Sequence, residues 1–201
     1  MVKLIAFTGP QGTGKTTMKE YLVNVLIGKG YKVMNGYHGV STSISREAAA
    51  LGFIINKGTS FASQYYMVCR YMMADLATRQ VAEKLKMDYI IVDRSVLDTI
   101  AYIVLGEMPL EDKQYIEDTI INHFKRFKVD MLIYCEALDN IIGDEHRSDD
   151  IEYQKHVDVL MKHCISRNNI SDITDLRWLY KGTVSERLVK VIEYMRTRWQ
   201  V

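Results

Sequence analysis

The feature that most constrains this chain is the nine-residue stretch GPQGTGKTT at positions 9–17. It satisfies the spacing G-x-x-x-x-G-K-[ST] and follows an apolar, β-rich run at 3–8. The residues at 16–27 have the apolar periodicity of an amphipathic helix. A glycine-rich loop between a strand and a helix is typical of a site for phosphate groups. The sequence therefore predicts a loop that holds the phosphate chain of a nucleoside triphosphate.

The residue types in this loop suit a triphosphate. Glycines permit backbone conformations that turn successive N–H groups toward an anion, and the helix that begins near Lys15 adds its positive dipole end. Lys15 is expected to reach the β and γ phosphates, and the Thr16 hydroxyl is expected to coordinate Mg²⁺. We therefore predict ATP and Mg²⁺ as cofactors. The predicted nucleotide-binding residues are Gly9, Gln11, Gly12, Thr13, Gly14, Lys15, Thr16 and Thr17.

A second buried run, YIIVD at 89–93, ends in Asp93 and is followed by Arg94. A carboxylate at the end of a buried strand can bind Mg²⁺ or accept a proton from an acceptor hydroxyl. A hydrolytic ATPase usually has a second acidic residue where this chain has Arg94, and the sequence lacks the N-K-x-D motif of a GTPase. The Asp-Arg pair favours a kinase, in which the guanidinium binds phosphate oxygens. Lys15, Asp93 and Arg94 are thus predicted catalytic residues, and Thr16 and Asp93 the predicted metal ligands.

Five apolar, β-rich runs alternate with long helical stretches along the chain. The predicted strands are 3–8, 31–35, 89–93, 131–135 and 176–180, and the predicted helices are 16–27, 60–86, 110–124, 152–164 and 185–198. This alternation favours a parallel sheet that is covered on both faces. We predict a three-layer α/β P-loop NTPase fold with a five-stranded parallel sheet and a short lid. No linker or repeat divides the sequence, so 1–201 is predicted to be a single P-loop kinase domain.

Composition limits the class of partner. The chain has 26 Lys and Arg against 25 Asp and Glu, so it lacks the basic excess that binds a long polyanion by charge. Its three cysteines are far apart and have no metal-ligand spacing. No apolar run reaches the length of a membrane span or of a signal-peptide core. We expect a cytoplasmic protein without a membrane partner, and we favour a small-molecule substrate over nucleic acid.

Four stretches together resemble a known family: GPQGTGKTT, SREAAALGF, VDRSVLDTIAY and GDEHRSDDIEY. With the closing stretch GTVSERLVKVIEYM, they make the chain similar to the P-loop nucleoside and nucleotide kinases. More narrowly, the chain resembles the family of the bacterial ribosylnicotinamide kinase domain. The resemblance implies transfer of the ATP γ-phosphate to a nucleoside or nucleotide-type acceptor. It also implies a lid, here at about 143–152, in which Arg147 acts as a further catalytic residue by stabilising charge on the transferring group.

The sequence leaves the phosphoryl acceptor open. Members of this family often have an acidic residue three positions before the Arg of the SRE-like stretch, where this chain has Ser43 before Arg46. Under one alternative, Asp93 alone takes the proton of a nucleoside hydroxyl. Under the other, the acceptor is a monophosphate that Arg46, Arg70 and Arg94 bind and that needs no base.

Gln64, on the predicted helix 60–86, is the candidate for reading a base or carboxamide edge. The resemblance supports this assignment, because a glutamine on the equivalent helix of deoxynucleoside kinases contacts the nucleobase. Arg46, Gln64 and Arg70 are thus the predicted substrate residues. Two other functions stay open at this stage. One is an ATP-binding regulator without small-molecule transfer, and the other is a kinase that acts on a nucleic-acid hydroxyl or a modified base.

Overall fold

The computed structural model describes residues 1–41, 43–55, 58–138, 151–180 and 182–200. The strands are β1 (Lys3–Thr8), β2 (Val33–Asn35), β3 (Tyr89–Asp93), β4 (Met131–Cys135) and β5 (Asp175–Leu179). The helices are α1 (Lys15–Gly28), α2 (Ile44–Ala50), α3 (Phe61–Lys84), α4 (Ile100–Leu105), α5 (Leu110–Arg126), α6 (Ile151–Arg167) and α7 (Val184–Trp199). The strands form one parallel sheet in the order β2-β3-β1-β4-β5.

The side chains of each strand alternate between the two faces of this sheet. In β1, Leu4 and Ala6 belong to the core that the sheet shares with α2 through α6. Ile5 and Phe7 point to the opposite face, where they pack with residues of α1 and α7. Because both faces are covered, the strands appear in the sequence as continuous apolar runs. The predicted three-layer α/β fold is confirmed.

The predicted elements agree closely with the observed ones. β1, β3 and β4 have the predicted bounds, whereas β2 begins two residues later and β5 is shifted by one residue toward the amino terminus. Two helices were not predicted, α2 and α4. α2 is seven residues long and α4 is six residues long. Helices this short do not fill the window of about 11 to 18 residues over which apolar periodicity can be recognised.

The strand order determines where a ligand can bind. β1 pairs with β3 on one side and with β4 on the other, so the chain reverses its direction of winding at β1. In open α/β sheets, ligands bind at such a reversal, beyond the carboxyl ends of the strands. The register places Phe7 of β1 opposite Asp93 of β3. The glycine-rich loop and the Asp-Arg pair therefore leave the sheet side by side. Among the described helices, none is long and apolar enough to cross a membrane.

Gly9, the first residue after β1, has a φ of +132° and passes close to β4. A Cβ atom at this position would lie 2.3 Å from the carbonyl oxygen of Cys135. Only glycine is compatible with both this backbone conformation and this contact. The start of the loop is therefore held by the adjacent strand.

We predict that Gly9→Ala lowers the free energy of unfolding by more than about 2 kcal/mol, because strain and a backbone clash add. Gly30→Ala is the matched control, since Gly30 also has a positive φ, +89°, but a Cβ atom there would have no other atom within 4 Å. Its cost should be about 1 kcal/mol, from backbone strain alone. Urea unfolding of the two variants measures the difference, and equal losses would contradict the steric argument.

Candidate functional site

A cavity of about 1410 Å³ opens at the carboxyl edge of the sheet. Its walls come from the glycine-rich loop, the segment between β2 and α2, helix α3, and the residues that follow β3. Many of the predicted site residues line it together. They are Gln11, Gly12, Thr13, Gly14, Lys15, Thr16, Thr17, Arg46, Gln64, Asp93 and Arg94.

The glycine-rich loop wraps around the ammonium group of Lys15. Gly14 ends the loop in a left-handed conformation, and α1 begins at Lys15. The Lys15 Nζ donates to the carbonyl oxygens of Gly9 at 2.9 Å and Pro10 at 2.5 Å, and to the Thr13 hydroxyl at 3.2 Å. Burial, with a smaller effect from the nearby Arg94 cation, lowers the pKa of Lys15 to about 8.

The two predicted metal ligands are in direct contact. The Thr16 hydroxyl donates a hydrogen bond to Oδ2 of Asp93. The other carboxylate oxygen, Oδ1 of Asp93, is buried and has no hydrogen-bond partner among the described residues. A hydroxyl and a carboxylate with one unpaired oxygen are hard oxygen ligands of the kind that Mg²⁺ prefers. These residues therefore suit the ion that the sequence predicts.

Arg94 lines the cavity next to Asp93 and has an unusual backbone. Its φ is +90°, and its N–H donates to the carbonyl oxygen of Phe7 at 2.8 Å. The carbonyl of Arg94 accepts from the Tyr37 hydroxyl at 3.2 Å. Its guanidinium Nη1 lies 3.7 Å from Oδ1 of Asp98. Burial lowers the pKa of Arg94, but Tyr71, Asp98, Tyr102 and Asp93 together raise it by more, so the side chain keeps its charge.

Asp98 is a site residue that the sequence analysis missed. It is buried and accepts hydrogen bonds from the Thr8 hydroxyl at 2.9 Å, the Gly9 N–H at 3.3 Å and the Ser95 N–H at 2.8 Å. Burial raises its pKa. The carboxylate thus joins the start of the glycine-rich loop to the segment after β3. A signal existed in the sequence, because Ser95 and Asp98 have the S-x-x-D spacing of the capping box that they form.

The predicted acceptor residues fall into two groups. Ser43 and Arg46 line the cavity, and the Ser43 hydroxyl caps α2 by accepting from the Arg46 N–H at 3.2 Å. Arg70 faces Glu47 instead, with Nε and Nη2 at 3.1 Å and 2.7 Å from one carboxylate oxygen. The structure therefore brings Arg46 to the cavity and places Arg70 in an ion pair beside it.

Gln64 is fully buried and lines the cavity from α3. Its Nε2 donates to the Thr59 hydroxyl at 2.8 Å. Its Oε1 is buried without a partner in the part of the chain that the structure describes. The side chains of Tyr37, Tyr71 and Tyr102 line the same cavity. This wall offers hydrogen bonds and aromatic surface.

The predicted lid lies almost wholly outside the described residues, and Arg147 is among those outside. Of the range 143–152, only the last two residues are described, and they form the start of α6. The role of Arg147 stays a prediction.

Structure comparison finds the same fold in several nucleotide-binding proteins. A NadR protein in complex with NR matches with a TM-score of 0.75 and 16% identity, over 100% of this chain and 52% of NadR. A deoxyadenosine kinase from M. mycoides with bound dATP matches with a TM-score of 0.59 and 15% identity, over 96% and 99% of the two chains. A thymidylate kinase from Ehrlichia chaffeensis matches with a TM-score of 0.64 and 16% identity, over 96% and 98%. The chain spans about half the length of NadR.

These likenesses confirm, at the level of the fold, the predicted resemblance to P-loop kinases of the ribosylnicotinamide kinase type. No curated protein sequence matches the chain. A family model described as an AAA domain matches residues 4–187. Because this match covers most of the sequence, the chain belongs to that AAA domain family.

Proposed function

We propose that the protein is a kinase that transfers the γ-phosphoryl group of ATP to a hydroxyl of a nucleoside-type acceptor. The observation that carries the proposal is the contact between Thr16 and Asp93. It brings a hydroxyl from the start of α1 and a carboxylate from the end of β3 to one point of the cavity wall. Both residues are oxygen ligands, and both lie beside a loop whose form suits phosphate.

The cavity is large enough to hold two bound molecules. Its volume of about 1410 Å³ exceeds the range of roughly 300 to 1,000 Å³ that is usual for one small ligand. The glycine-rich loop forms one wall, and Gln64, Tyr71 and Tyr102 line another. A phosphoryl donor and an acceptor can therefore lie side by side. Proteins with the same fold bind ligands of this kind. The solved structures include NadR with NAD and AMP-PNP and a deoxyadenosine kinase with dATP.

Different residues of the cavity wall would have different roles in the reaction. Thr16 and Asp93 would hold Mg²⁺, which when bound offsets the charge of the phosphates. Lys15 would exchange the loop carbonyls for phosphate oxygens, which are stronger acceptors because they are charged. Arg94 keeps its positive charge at the cavity wall, where it can stabilise the transferring group. Asp93 also has the unpaired oxygen that could take the proton of the acceptor hydroxyl.

The charge pattern favours a neutral acceptor over a monophosphate. Of the three arginines predicted to bind a monophosphate, Arg70 is paired with Glu47 and Arg94 lies 3.7 Å from Asp98. Arg46 lines the cavity from an exposed position on α2. A phosphate acceptor would add negative charge and would need guanidinium groups that are not already engaged, whereas Arg70 pairs with Glu47 and Arg94 would bind the transferring group. A nucleoside hydroxyl needs a base, for which Asp93 is the candidate, and an uncharged binding wall, which Gln64, Tyr71 and Tyr102 would form.

The proposal predicts which acceptors become labelled when the protein is incubated with labelled ATP and Mg²⁺. Nucleosides, including nicotinamide riboside, should be labelled and nucleoside monophosphates should not. Lys15→Met should lower kcat/KM by at least about 100-fold, because catalysis here is largely electrostatic. Lys29→Met, at the other end of α1, should leave it unchanged.

Label on monophosphates alone would overturn the choice of acceptor. Unchanged turnover in Lys15→Met would overturn the kinase site. Tight ATP binding with no transfer to any small molecule would favour the regulator, and transfer to polynucleotides would favour the nucleic-acid kinase.

The lowered pKa of Lys15, about 8, predicts that nucleotide binding takes up protons. At pH 8 about half of the Lys15 side chains are neutral in the free protein, and bound phosphates favour the charged form. Binding of ATP with Mg²⁺ at pH 8 should therefore take up about half a proton, and affinity should fall as the pH rises above 8. Calorimetry in two buffers with different ionisation enthalpies measures the uptake. Lys15→Met should abolish it, and a wild-type protein without uptake at pH 8 would contradict the assignment.

A further inference from the structure

Gln154, on α6, makes a long-range contact with the glycine-rich loop. Its side chain is fully buried, and its Nε2 donates to the carbonyl oxygen of Gln11 at 2.5 Å. Its Oε1 is also buried and has no partner within the described ranges. A buried amide with one unpaired oxygen is costly, and among the described residues the bond to Gln11 is the side-chain hydrogen bond that offsets this cost. That bond ends on a main-chain atom of the loop.

Arg187, on α7, makes a second contact of the same kind. It is 4% exposed, and its Nη1 donates to the carbonyl oxygen of Thr13 at 2.7 Å. Its other donors bind the carbonyl oxygens of Tyr180 at 3.1 Å and Glu136 at 3.0 Å. Burial lowers its pKa. Arg187 thus links the loop to the carboxyl ends of β4 and β5.

The two held carbonyls also affect the N–H groups with which they share a peptide bond. In a trans peptide, the C=O of one residue and the N–H of the next point in opposite directions. Gln154 and Arg187 do not line the cavity, whereas Gly12 and Gly14 do. A donor outside the cavity wall that holds the carbonyl of Gln11 therefore favours a peptide orientation in which the Gly12 N–H faces the cavity. The bond to the carbonyl of Thr13 favours the same orientation for the Gly14 N–H.

We propose that Gln154 and Arg187 are positioning residues that orient the peptide groups 11–12 and 13–14 for binding of the triphosphate. Gly12 and Gly14 have φ values of +72° and +78°, and glycine allows the adjacent peptide groups to rotate at little cost. A rotated peptide group would present a carbonyl oxygen to the phosphates in place of an N–H. The side-chain donors from α6 and α7 oppose that rotation.

Lys15 does not hold these two carbonyls. In the structure its ammonium group holds the carbonyls of Gly9 and Pro10, but it would leave them to bind phosphate. Gln154 and Arg187 do not line the cavity, so their bonds to Gln11 and Thr13 would remain when a nucleotide binds. This inference rests on the proposed nucleotide binding at the loop.

The test compares nucleotide affinity with stability in Gln154→Met, Arg187→Met and Arg187→Lys. The dissociation constant of a nonhydrolysable ATP analogue with Mg²⁺ should rise about tenfold in Gln154→Met and about 100-fold in Arg187→Met. Arg187→Lys keeps the charge but loses the several donors of the guanidinium. Its dissociation constant for the analogue should therefore lie between those of the wild type and Arg187→Met. In steady-state assays, the KM for ATP should rise while the KM for the nucleoside acceptor stays within about twofold.

Arg79→Met is the matched control. Arg79, on α3, also donates to two carbonyl oxygens, those of Phe127 at 3.0 Å and Lys128 at 2.9 Å, but it lies outside the cavity wall. Arg79→Met should lower the unfolding temperature and leave the dissociation constant of the analogue unchanged.

The outcomes separate the two proposals. A wild-type protein that does not bind the analogue would overturn the proposed function. If Gln154→Met and Arg187→Lys bind the analogue with the same dissociation constant as the wild type, the positioning role is overturned. Equal rises in the KM values for ATP and acceptor would also overturn it, because they indicate a general loss of structure. If Arg187→Met does not fold, Gln154→Met and Arg187→Lys decide the question, since each retains most of the volume of the side chain.

Discussion

The pairing of β1 with β3 is the constraint on which the rest of the site depends. The register sets Phe7 opposite Asp93, and the Arg94 N–H continues the ladder by donating to Phe7. Asp98 extends the connection beyond the sheet through its bonds to Thr8 and Gly9. As a result, the first residues after each strand are fixed relative to each other by buried hydrogen bonds. Shifting this register by one residue would turn the Asp93 side chain to the other face of the sheet.

These hydrogen bonds also explain the unusual backbone at Arg94. A φ of +90° is unfavourable for a residue with a side chain and costs on the order of 1 kcal/mol or more. The bonds to Phe7 and Tyr37 hold the main chain in place, so the strain is sustained by the surrounding structure. Its effect is to place a charged guanidinium at the cavity wall directly after Asp93. Strain of this kind is characteristic of functional sites.

Much of the fold and part of the site could be predicted from the sequence. Lys15, Thr16 and Asp93 belong to short motifs whose spacing predicts a role, and the apolar runs predict the strands to within two residues. Gln154 and Arg187 could not be found in this way. Their partners are main-chain carbonyls 143 and 174 positions away in sequence. Every residue has a main-chain carbonyl, so the residue types at 11 and 13 do not indicate the contact. For Arg70, the sequence predicts substrate binding but does not reveal the ion pair with Glu47, and its role stays a prediction.

The position of Ser43 bears on the identity of the base in the proposed reaction. Ser43 caps α2, a role that an aspartate can also fill, so a change from acid to serine keeps the helix and removes a charge from the cavity wall. Among the described residues that line the cavity, the carboxylates are then Asp93 and Asp98. Asp98 accepts from Thr8, Gly9 and Ser95, so its oxygens are already in use. Asp93 keeps one oxygen without a partner among the described residues, so in the proposed reaction it is the candidate base as well as a candidate metal ligand.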